Sequence, residues 1–302
     1  MGCGAGAADG MGEPLVTVAL QFRNCERTLA TAIRSIVLQT FPDWELILHD
    51  DGSTDGSKAI AAGFRDARIS LVAVPVRRGR PACINEAAGA ARGRYFALMD
   101  GDDVAYPERL ERQADYLERH RDVDLVGAPA LVFGAEGRAL GKRAVPPSHE
   151  EICRRPWSGF PMWQSTFMGR LRWFRRHPYD ERRLRAQDQD LLLRSHTDSR
   201  FANLAEILGG YREETISLKK SLRTRSHLVR SFLREFGRRR RPDLAVLAVT
   251  GQMAKGVVDA FAVASGLGYR VLRHRARPLT DGERVRWGEV WAQVTREVKP
   301  AA

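Results

Sequence analysis

Short apolar runs alternate with segments of helical periodicity between residues 16 and 120, and this alternation constrains the fold more than any other feature. Four apolar runs predict β-strands at residues 16–22, 44–49, 69–74 and 95–99. The intervening segments predict helices at residues 28–39, 55–64, 81–91 and 107–120. Because strands that alternate with helices pair in parallel through right-handed crossovers, we predict an α/β protein. Its sheet should be doubly wound, mostly parallel and flanked by helices.

The pattern is looser after residue 124. We expect a strand at 125–133, a hairpin at 134–141, a loop at 146–160, a strand at 163–168, a helix within 184–196 and a return to the sheet at 204–211. Two residues suit helix starts, with Thr28 as an N-cap and Pro81 in a first turn.

Carboxylates follow two of the predicted strands at the points where the strands end. They are Asp50 and Asp51 after the second strand, and Asp100, Asp102 and Asp103 after the fourth. Ligands of doubly wound sheets bind at the carboxyl ends of the strands, so the two groups can share one crevice. Crowded carboxylates need a counter-charge, and a hard divalent cation with oxygen ligands provides it. The alternative for the second group is a polar turn that caps the next helix.

Several motifs follow one another in a defined order. They are a strand ending near Asn24, Ser-Ile-x-x-Gln-Thr at 35–40, Asp-Asp-Gly-Ser-Thr-Asp at 50–55, Arg-Gly-Arg-Pro at 78–81, Met-Asp-Gly-Asp-Asp at 99–103, Pro-Glu-Arg-Leu at 107–110 and Gln-Asp-Gln-Asp-Leu-Leu-Leu-Arg at 187–194. Over residues 14–215 this series closely resembles the family 2 glycosyltransferases, which have the GT-A fold. The resemblance implies an inverting transfer of a sugar from a nucleotide-diphosphate sugar to a hydroxyl acceptor. The product would belong to a cell-surface polysaccharide, lipopolysaccharide or glycolipid.

The resemblance also implies a donor-binding set. Its members are Gln21, Arg23, Asn24, Glu26, Asp50, Asp51, Arg80 and Asp100. Asp51 matches the family residue that reads the base, since a carboxylate accepts a hydrogen bond from an imide N–H; a helix-capping turn is the alternative. Arg80 precedes a helix, where an arginine can meet a phosphate, although a solvated basic loop fits equally well. The family often has Pro and Tyr where this chain has Gln21 and Arg23, which leaves the base open.

For catalysis, the resemblance implies a metal and a general base. Asp102 matches the ligand of Mn²⁺ or Mg²⁺, with Asp103 in support and Asp100 nearer the ribose. Such a metal neutralises charge on the departing diphosphate. Asp188 matches the base that deprotonates the acceptor hydroxyl, and Asp190 is the competing candidate. The alternative function is a non-catalytic nucleotide-sugar-binding or regulatory protein on the same fold.

Charge separates the chain into two parts. Residues 1–215 hold 30 basic and 30 acidic residues, whereas residues 216–302 hold 19 basic and 7 acidic ones and so carry the whole net charge of +12. Within residues 219–264, a basic amphipathic stretch is followed by a mostly apolar one that carries Lys255 and Asp259 as an i,i+4 pair. This pattern is typical of a helix at an anionic membrane surface. A packed helical extension without a membrane role is the alternative, and the interleaved apolar residues disfavour nucleic acid as a partner.

We therefore expect three segments: a disordered, Gly/Ala-rich N-terminus at 1–13, a GT-A domain at 14–215 and a basic, mostly helical extension at 216–302. The N-terminus has no signal-peptide pattern, and the four cysteines have no C-x-x-C spacing. Both observations favour a cytoplasmic protein, peripheral on the inner face of the membrane if the extension contacts lipid.

Overall fold

The computed structural model describes residues 12–213, 218–265 and 277–296. Eleven strands lie in these ranges: β1 (Val16–Phe22), β2 (Trp44–Asp51), β3 (Ile69–Val74), β4 (Tyr95–Asp100), β5 (Val104–Ala105), β6 (Leu125–Gly127), β7 (Ala130–Phe133), β8 (Ala139–Arg143), β9 (Met168–Arg170), β10 (Phe201–Asn203) and β11 (Gly209–Arg212). Seven of them form the main sheet in the order β10-β6-β9-β4-β1-β2-β3. Within it only β9 runs antiparallel to its neighbours, among the residues described. The predicted mostly parallel α/β sheet is thereby confirmed.

Ten α-helices lie in the same ranges. They are α1 (Leu29–Val37), α2 (Ser57–Ala62), α3 (Arg80–Ala90), α4 (Arg109–Arg119), α5 (His149–Ile152), α6 (Leu171–Arg176), α7 (Gln187–Ser195), α8 (Leu218–Arg238), α9 (Pro242–Ala264) and α10 (Asp281–Thr295). Helices α1 to α4 connect consecutive strands, as the sequence pattern predicts. Helices α8 and α9 confirm that the C-terminal extension is helical.

The register of the central strands brings the predicted site residues to one edge of the sheet. Strand β1 lies between β4 and β2, so Gln21 is opposite both Asp100 and His49. The next residue, Phe22, is opposite Asp50. The acidic ends of β2 and β4 therefore flank the end of β1, although 50 positions separate Asp50 from Asp100 in the sequence.

Each face of the main sheet is covered by helices. Side chains alternate along β1, so that Val18 and Leu20 face the core beneath α1 and α4, and Ala19 faces the core beneath α3, α6 and α7. Both faces are therefore buried, which explains why β1, β2 and β4 are nearly continuous apolar runs. Each large apolar side chain buried here contributes about 1.5–3 kcal/mol relative to exposure.

Strands β5, β11, β7 and β8 form a second sheet, which α10 covers. Trp287 of α10 packs on Phe133 with ring centroids 4.8 Å apart and donates its indole N–H to the Gly137 carbonyl at 2.6 Å. Gly210 has to be glycine, since a Cβ there would lie 2.7 Å from the Trp287 ring. Helix α10 thus holds the sheet that carries the residues following Asp103.

The basic extension packs on the body through α8. Leu228, Phe232 and Phe236 of α8 belong to the same hydrophobic core as the three leucines of α7. Helix α9 packs along α8 but leaves much of its apolar side chain surface exposed. Residues 242–261 form a helical segment whose length and mean hydropathy of 1.3 would suffice to cross a membrane, with 17% of its most apolar window buried.

Several local predictions were wrong. Residues 125–133 form two strands in different sheets, β6 and β7, because Pro129 interrupts the run. The predicted loop at 146–160 contains α5, which Ser148 and Glu151 start with a capping box. In the predicted strand at 163–168, residues 164–166 form a 3₁₀ turn. Thr28 does occupy the predicted N-cap position of α1, but its side chain makes no cap hydrogen bond, and its hydroxyl donates to the Gly101 carbonyl instead.

Two further predictions concern residues that the structure does not describe. Residues 1–11 of the segment predicted to be disordered lie outside the described ranges. The predicted boundary between positions 215 and 216 also lies outside them.

Candidate active site

Three carboxylates meet where β4 ends. The ligand oxygens of Asp100, Asp102 and Asp103 all lie within 4.8 Å of one another. The chain can turn this sharply because residue 101 is glycine: a Cβ there would lie 2.7 Å from Cβ of Phe22. The Gly101 N–H donates to the Gln21 carbonyl at 3.2 Å, which ties the turn to β1.

Asp103 is the most constrained of the three. It is 3% exposed, and its Oδ1 accepts the backbone N–H of Arg212 at 2.9 Å. Its Oδ2 is buried and has no hydrogen-bond partner among the described residues. Burial, together with the charges of Asp102 and Asp100, raises the pKa of Asp103 well above its usual range. An unpartnered carboxylate oxygen beside two other carboxylates is the donor set that Mn²⁺ or Mg²⁺ takes, so these residues fit the predicted metal.

Arg80 is the cation that faces this cluster. Its Nη1 lies 3.0 Å from Oδ2 of Asp100, and its side chain is 38% exposed. The acids raise the pKa of Arg80 above its usual range, despite the opposing effect of burial. Arg80 is also the first residue of α3, and a helix N-terminus carries free backbone N–H groups and partial positive charge. This arrangement can bind phosphate oxygens.

Asp51 and Asp50 organise the loops beside the cleft. Asp51 accepts the backbone N–H of Arg78 at 2.6 Å and that of Gly79 at 2.9 Å. Gly79 has φ of 94°, a conformation that favours glycine. Asp50 is 2% exposed and accepts the Ser53 N–H at 2.9 Å. Both carboxylates therefore shape the loops around the predicted base position.

The other predicted donor-binding residues border the same edge of the sheet. Asn24 accepts the Thr54 N–H at 2.8 Å, and Glu26 accepts the Gly56 N–H at 3.0 Å. These contacts tie the loop after β1 to the loop after β2. Gln21 is buried and donates to the Ala19 carbonyl, whereas Arg23 is exposed. The structure thus brings together the ends of β1, β2 and β4 with the start of α3.

Asp188 and Asp190 lie in the first turn of α7 but in different surroundings. Asp188 is half-buried, and its charge acts on Asp100 and Arg80 across the cleft. Burial raises the pKa of Asp188, although hydrogen bonds from Gln189 oppose the shift. Asp190 is 1% exposed and lies 3.0 Å from Arg194 and 2.7 Å from Arg234. Only Asp188 of the two faces the cleft.

Three contributions to the site were missed by the sequence analysis. Arg212 donates its backbone N–H to Asp103 and its Nε to the Asp102 carbonyl at 3.0 Å. The buried Ser165 side chain opposes the rise in the pKa of Asp103 that burial causes. Gln164 bonds both Gln187 and the Tyr179 hydroxyl, at 2.9 and 3.0 Å. Their positions in the sequence give no sign of these contacts, which the second sheet and the turn at 164–166 create.

Comparisons with known proteins show what this chain is similar to. The family model described as glycosyl transferase family 2 matches residues 17–179. The putative glycosyltransferase EpsE of Bacillus subtilis (strain 168) is 38% identical over 215 residues, which are 68% of this chain and 76% of EpsE. The UDP-Glc:alpha-D-GlcNAc-diphosphoundecaprenol beta-1,3-glucosyltransferase WfgD of Escherichia coli is 34% identical over 103 residues, 34% of this chain and 41% of WfgD.

One solved structure extends the similarity to nearly the whole chain. The mannosyltransferase PcManGT from Pyrobaculum calidifontis, in complex with GDP-Man and Mn²⁺, superimposes with a TM-score of 0.57 at 17% identity. The match covers 94% of this chain and 85% of PcManGT. At this level of identity the similarity concerns the fold.

Proposed function

The chain belongs to glycosyl transferase family 2, and on that premise we propose that it is a metal-dependent, inverting enzyme. It transfers a sugar from a nucleotide-diphosphate sugar to a hydroxyl acceptor in the synthesis of a cell-surface glycan or glycolipid. The observation that carries this proposal is the position of Asp188, whose carboxylate faces the acidic cleft without an arginine bound to it among the described residues. A general base has to be free to accept a proton, and Asp188 meets that condition.

The proposed reaction is a single displacement. The acceptor hydroxyl gives its proton to the Asp188 carboxylate while its oxygen forms a bond to the anomeric carbon. The bond between that carbon and the diphosphate oxygen breaks on the opposite side, and its electron pair leaves with the nucleoside diphosphate. Inversion at the anomeric carbon follows from one displacement.

Donor binding falls to the residues at the other side of the cleft. Arg80 binds diphosphate oxygens at the start of α3, and Asp100 binds the ribose. The base is surrounded by six residues, partly through the loops that they hold. They are Gln21, Arg23, Asn24, Glu26, Asp50 and Asp51. Asp102 and Asp103 would hold Mn²⁺ or Mg²⁺, which when bound supplies Lewis-acid stabilisation of the diphosphate. The complex of PcManGT, a protein of similar fold, with GDP-Man and Mn²⁺ supports both expectations.

Asp188→Asn tests the proposed base. We expect turnover to fall by about 10²–10⁴-fold, the usual contribution of general-base catalysis, while donor affinity stays unchanged. In the parent enzyme, turnover should fall on the acid side with a pKa above that of an ordinary Asp, because burial raises the pKa of Asp188. Steady-state kinetics and calorimetric donor titration measure the two quantities. Near-normal turnover of Asp188→Asn would refute the assignment.

We also propose that α8 and α9 rest on the inner face of an anionic membrane. On α9, Met253, Val257 and Phe261 are 66%, 70% and 68% exposed and recur at helical spacing on one face. On α8, Lys219, Arg223 and Arg230 are exposed. Each basic residue near such a surface contributes about 1 kcal/mol, and an apolar face adds reversible insertion into the interface.

Co-sedimentation with vesicles tests the membrane proposal. We expect binding to phosphatidylglycerol vesicles that weakens at high salt, and little binding to phosphatidylcholine vesicles. Val257→Glu should reduce the binding, whereas Val285→Glu on α10, 63% exposed in the parent chain, serves as the matched control. Equal binding to phosphatidylglycerol and phosphatidylcholine vesicles would contradict the electrostatic contribution. An equal loss of binding in the Val257→Glu and Val285→Glu variants would show that the membrane contact is not specific to α9.

A further inference from the structure

A cavity of about 670 Å³ lies beside the cleft, between α8, α9 and the segment that follows α5. Four cationic side chains and one carboxylate line it: Arg154, Arg155, Arg225, Lys255 and Glu151. Phe160, Pro161 and Leu228 supply apolar surface to the same walls. The cavity therefore combines positive charge with an apolar lining.

The charges of this cavity are not all balanced within the protein. Arg225 is held by Asp259 at 2.6 Å and by Gln252 at 2.9 Å, so its charge is compensated. Arg154 and Arg155 are exposed, and neither forms an ion pair with another residue in the described ranges. Two guanidinium groups on neighbouring residues suit a phosphate or diphosphate, whose oxygens accept paired N–H bonds.

One side chain connects the cavity to the proposed base. Gln189 lines the cavity and is anchored to Phe160, accepting its N–H at 2.7 Å and donating to its carbonyl at 3.0 Å. The same Nε2 lies 3.3 Å from Oδ2 of Asp188. A molecule in the cavity is therefore one side chain away from the carboxylate that faces the donor cleft.

We propose that this cavity binds a phosphate or diphosphate carried by the acceptor, which places the acceptor hydroxyl at Asp188. The proposal rests on the function proposed above, because it assigns the acceptor side of that reaction. Arg154 and Arg155 bind the anionic group, and Gln189 separates it from the base. The binding step needs neither the metal nor the nucleotide, so it can be tested apart from donor binding.

Calorimetric titration with geranyl diphosphate and with inorganic pyrophosphate, both in EDTA, tests the proposal. We expect Arg154→Gln/Arg155→Gln to bind geranyl diphosphate at least about tenfold more weakly than the parent protein, because the variant loses two charge-assisted hydrogen-bond donors. The matched control is Arg121→Gln/Arg172→Gln. It removes two exposed arginines from another cavity, of about 840 Å³, and should bind normally.

The arms of the experiment separate the possible results. Equal affinity in the Arg154/Arg155 variant, or a loss confined to the control variant, would overturn the proposal. UDP binding with Mn²⁺ should be unchanged in the Arg154/Arg155 variant, and a parallel loss there would assign the cavity to the donor instead. The parent protein could bind geranyl diphosphate through these arginines and yet bind none of the nucleotides tested. That result would refute the proposed donor site and leave the cavity assignment intact. Tighter binding of geranyl diphosphate than of pyrophosphate indicates a lipid carrier, and equal binding indicates a soluble phosphate.

Discussion

Two clusters of acidic residues within about 90 positions of each other have opposite surroundings. In the cleft cluster, which consists of Asp100, Asp102 and Asp103, Asp100 is paired with Arg80, and Oδ2 of Asp103 has no hydrogen-bond partner in the described chain. In the packing cluster, Asp180 and Asp190 lie within 4 Å of four arginines, namely Arg182, Arg183, Arg194 and Arg234. The first cluster has more carboxylates than arginines paired with them, and the second has fewer.

The difference separates residues that hold the fold from residues available for chemistry. Arg234 of α8 bonds Asp180 and Asp190 at 2.7 Å each, so the packing cluster fastens the basic extension to the body. Burial disfavours ionised Asp180, but bonds from Arg182 and Arg234 outweigh it and lower the pKa of Asp180. In the cleft, burial dominates and raises the pKa of Asp103. A carboxylate cluster with too little counter-charge costs stability, and a bound divalent metal ion would supply the missing positive charge.

The largest effect should come from Asp190→Asn. It leaves Arg194 and Arg234 without their buried partner. The free energy of unfolding should fall by about 3 kcal/mol, which is the low end of the range for a broken buried ion pair. The low end applies because both arginines are partly exposed. Asp188→Asn, two residues away on the same helix turn, is the matched control and should change stability little. Urea denaturation measures both. Equal losses of stability in Asp190→Asn and Asp188→Asn would contradict the conclusion that, of these two residues, only Asp190 is paired with arginines.

The next effect should come from Asp102→Asn. Removing this carboxylate should weaken UDP or GDP binding in the presence of Mn²⁺ by at least about 10²-fold. Residues that only hydrogen-bond to a metal-coordinating side chain typically contribute about 10- to 100-fold to metal affinity, and loss of the coordinating side chain itself costs more. The fold should survive, since Asp102 is exposed. The reference is nucleotide binding to the parent protein with Mn²⁺. Equally tight binding in EDTA, or in the Asp102→Asn variant, would refute the metal assignment.

The smallest effect concerns pH and the packing cluster. The pKa of Asp180 is lowered in the folded protein, so its ion pairs stabilise the fold above the ordinary pKa of Asp and are lost as the pH falls below it. The urea midpoint should therefore fall on acidification toward pH 3. Arg234→Gln should flatten that fall, while Arg138→Gln, which changes an exposed arginine elsewhere, should not. An unchanged slope in Arg234→Gln would contradict the role of this pair.

Much of the fold could be predicted from the sequence because its signals are local. The first four strands and helices follow from apolar periodicity, and strand β3 has the predicted bounds. The prediction was weaker after residue 124, where strands of three or four residues are too short to show a period. Thr28 illustrates the same limit: it has the chemistry of an N-cap, but the Gly101 carbonyl from a distant turn takes its hydroxyl.

The sequence by itself determined the parallel α/β order, the family and the strand ends at which carboxylates collect, since each depends on residues that are neighbours along the chain. Only the tertiary structure decided which carboxylates have an arginine as an ion-pair partner and which do not. Asp188 and Asp190 are both candidates for the base by sequence, yet Arg234, 44 positions from Asp190, pairs with Asp190 and not with Asp188. The unpartnered oxygen of Asp103 and the Gln189 contact beside the basic cavity likewise depend on burial and on packing between distant segments. Such contacts set the electrostatics of the site, because charge compensation acts through space.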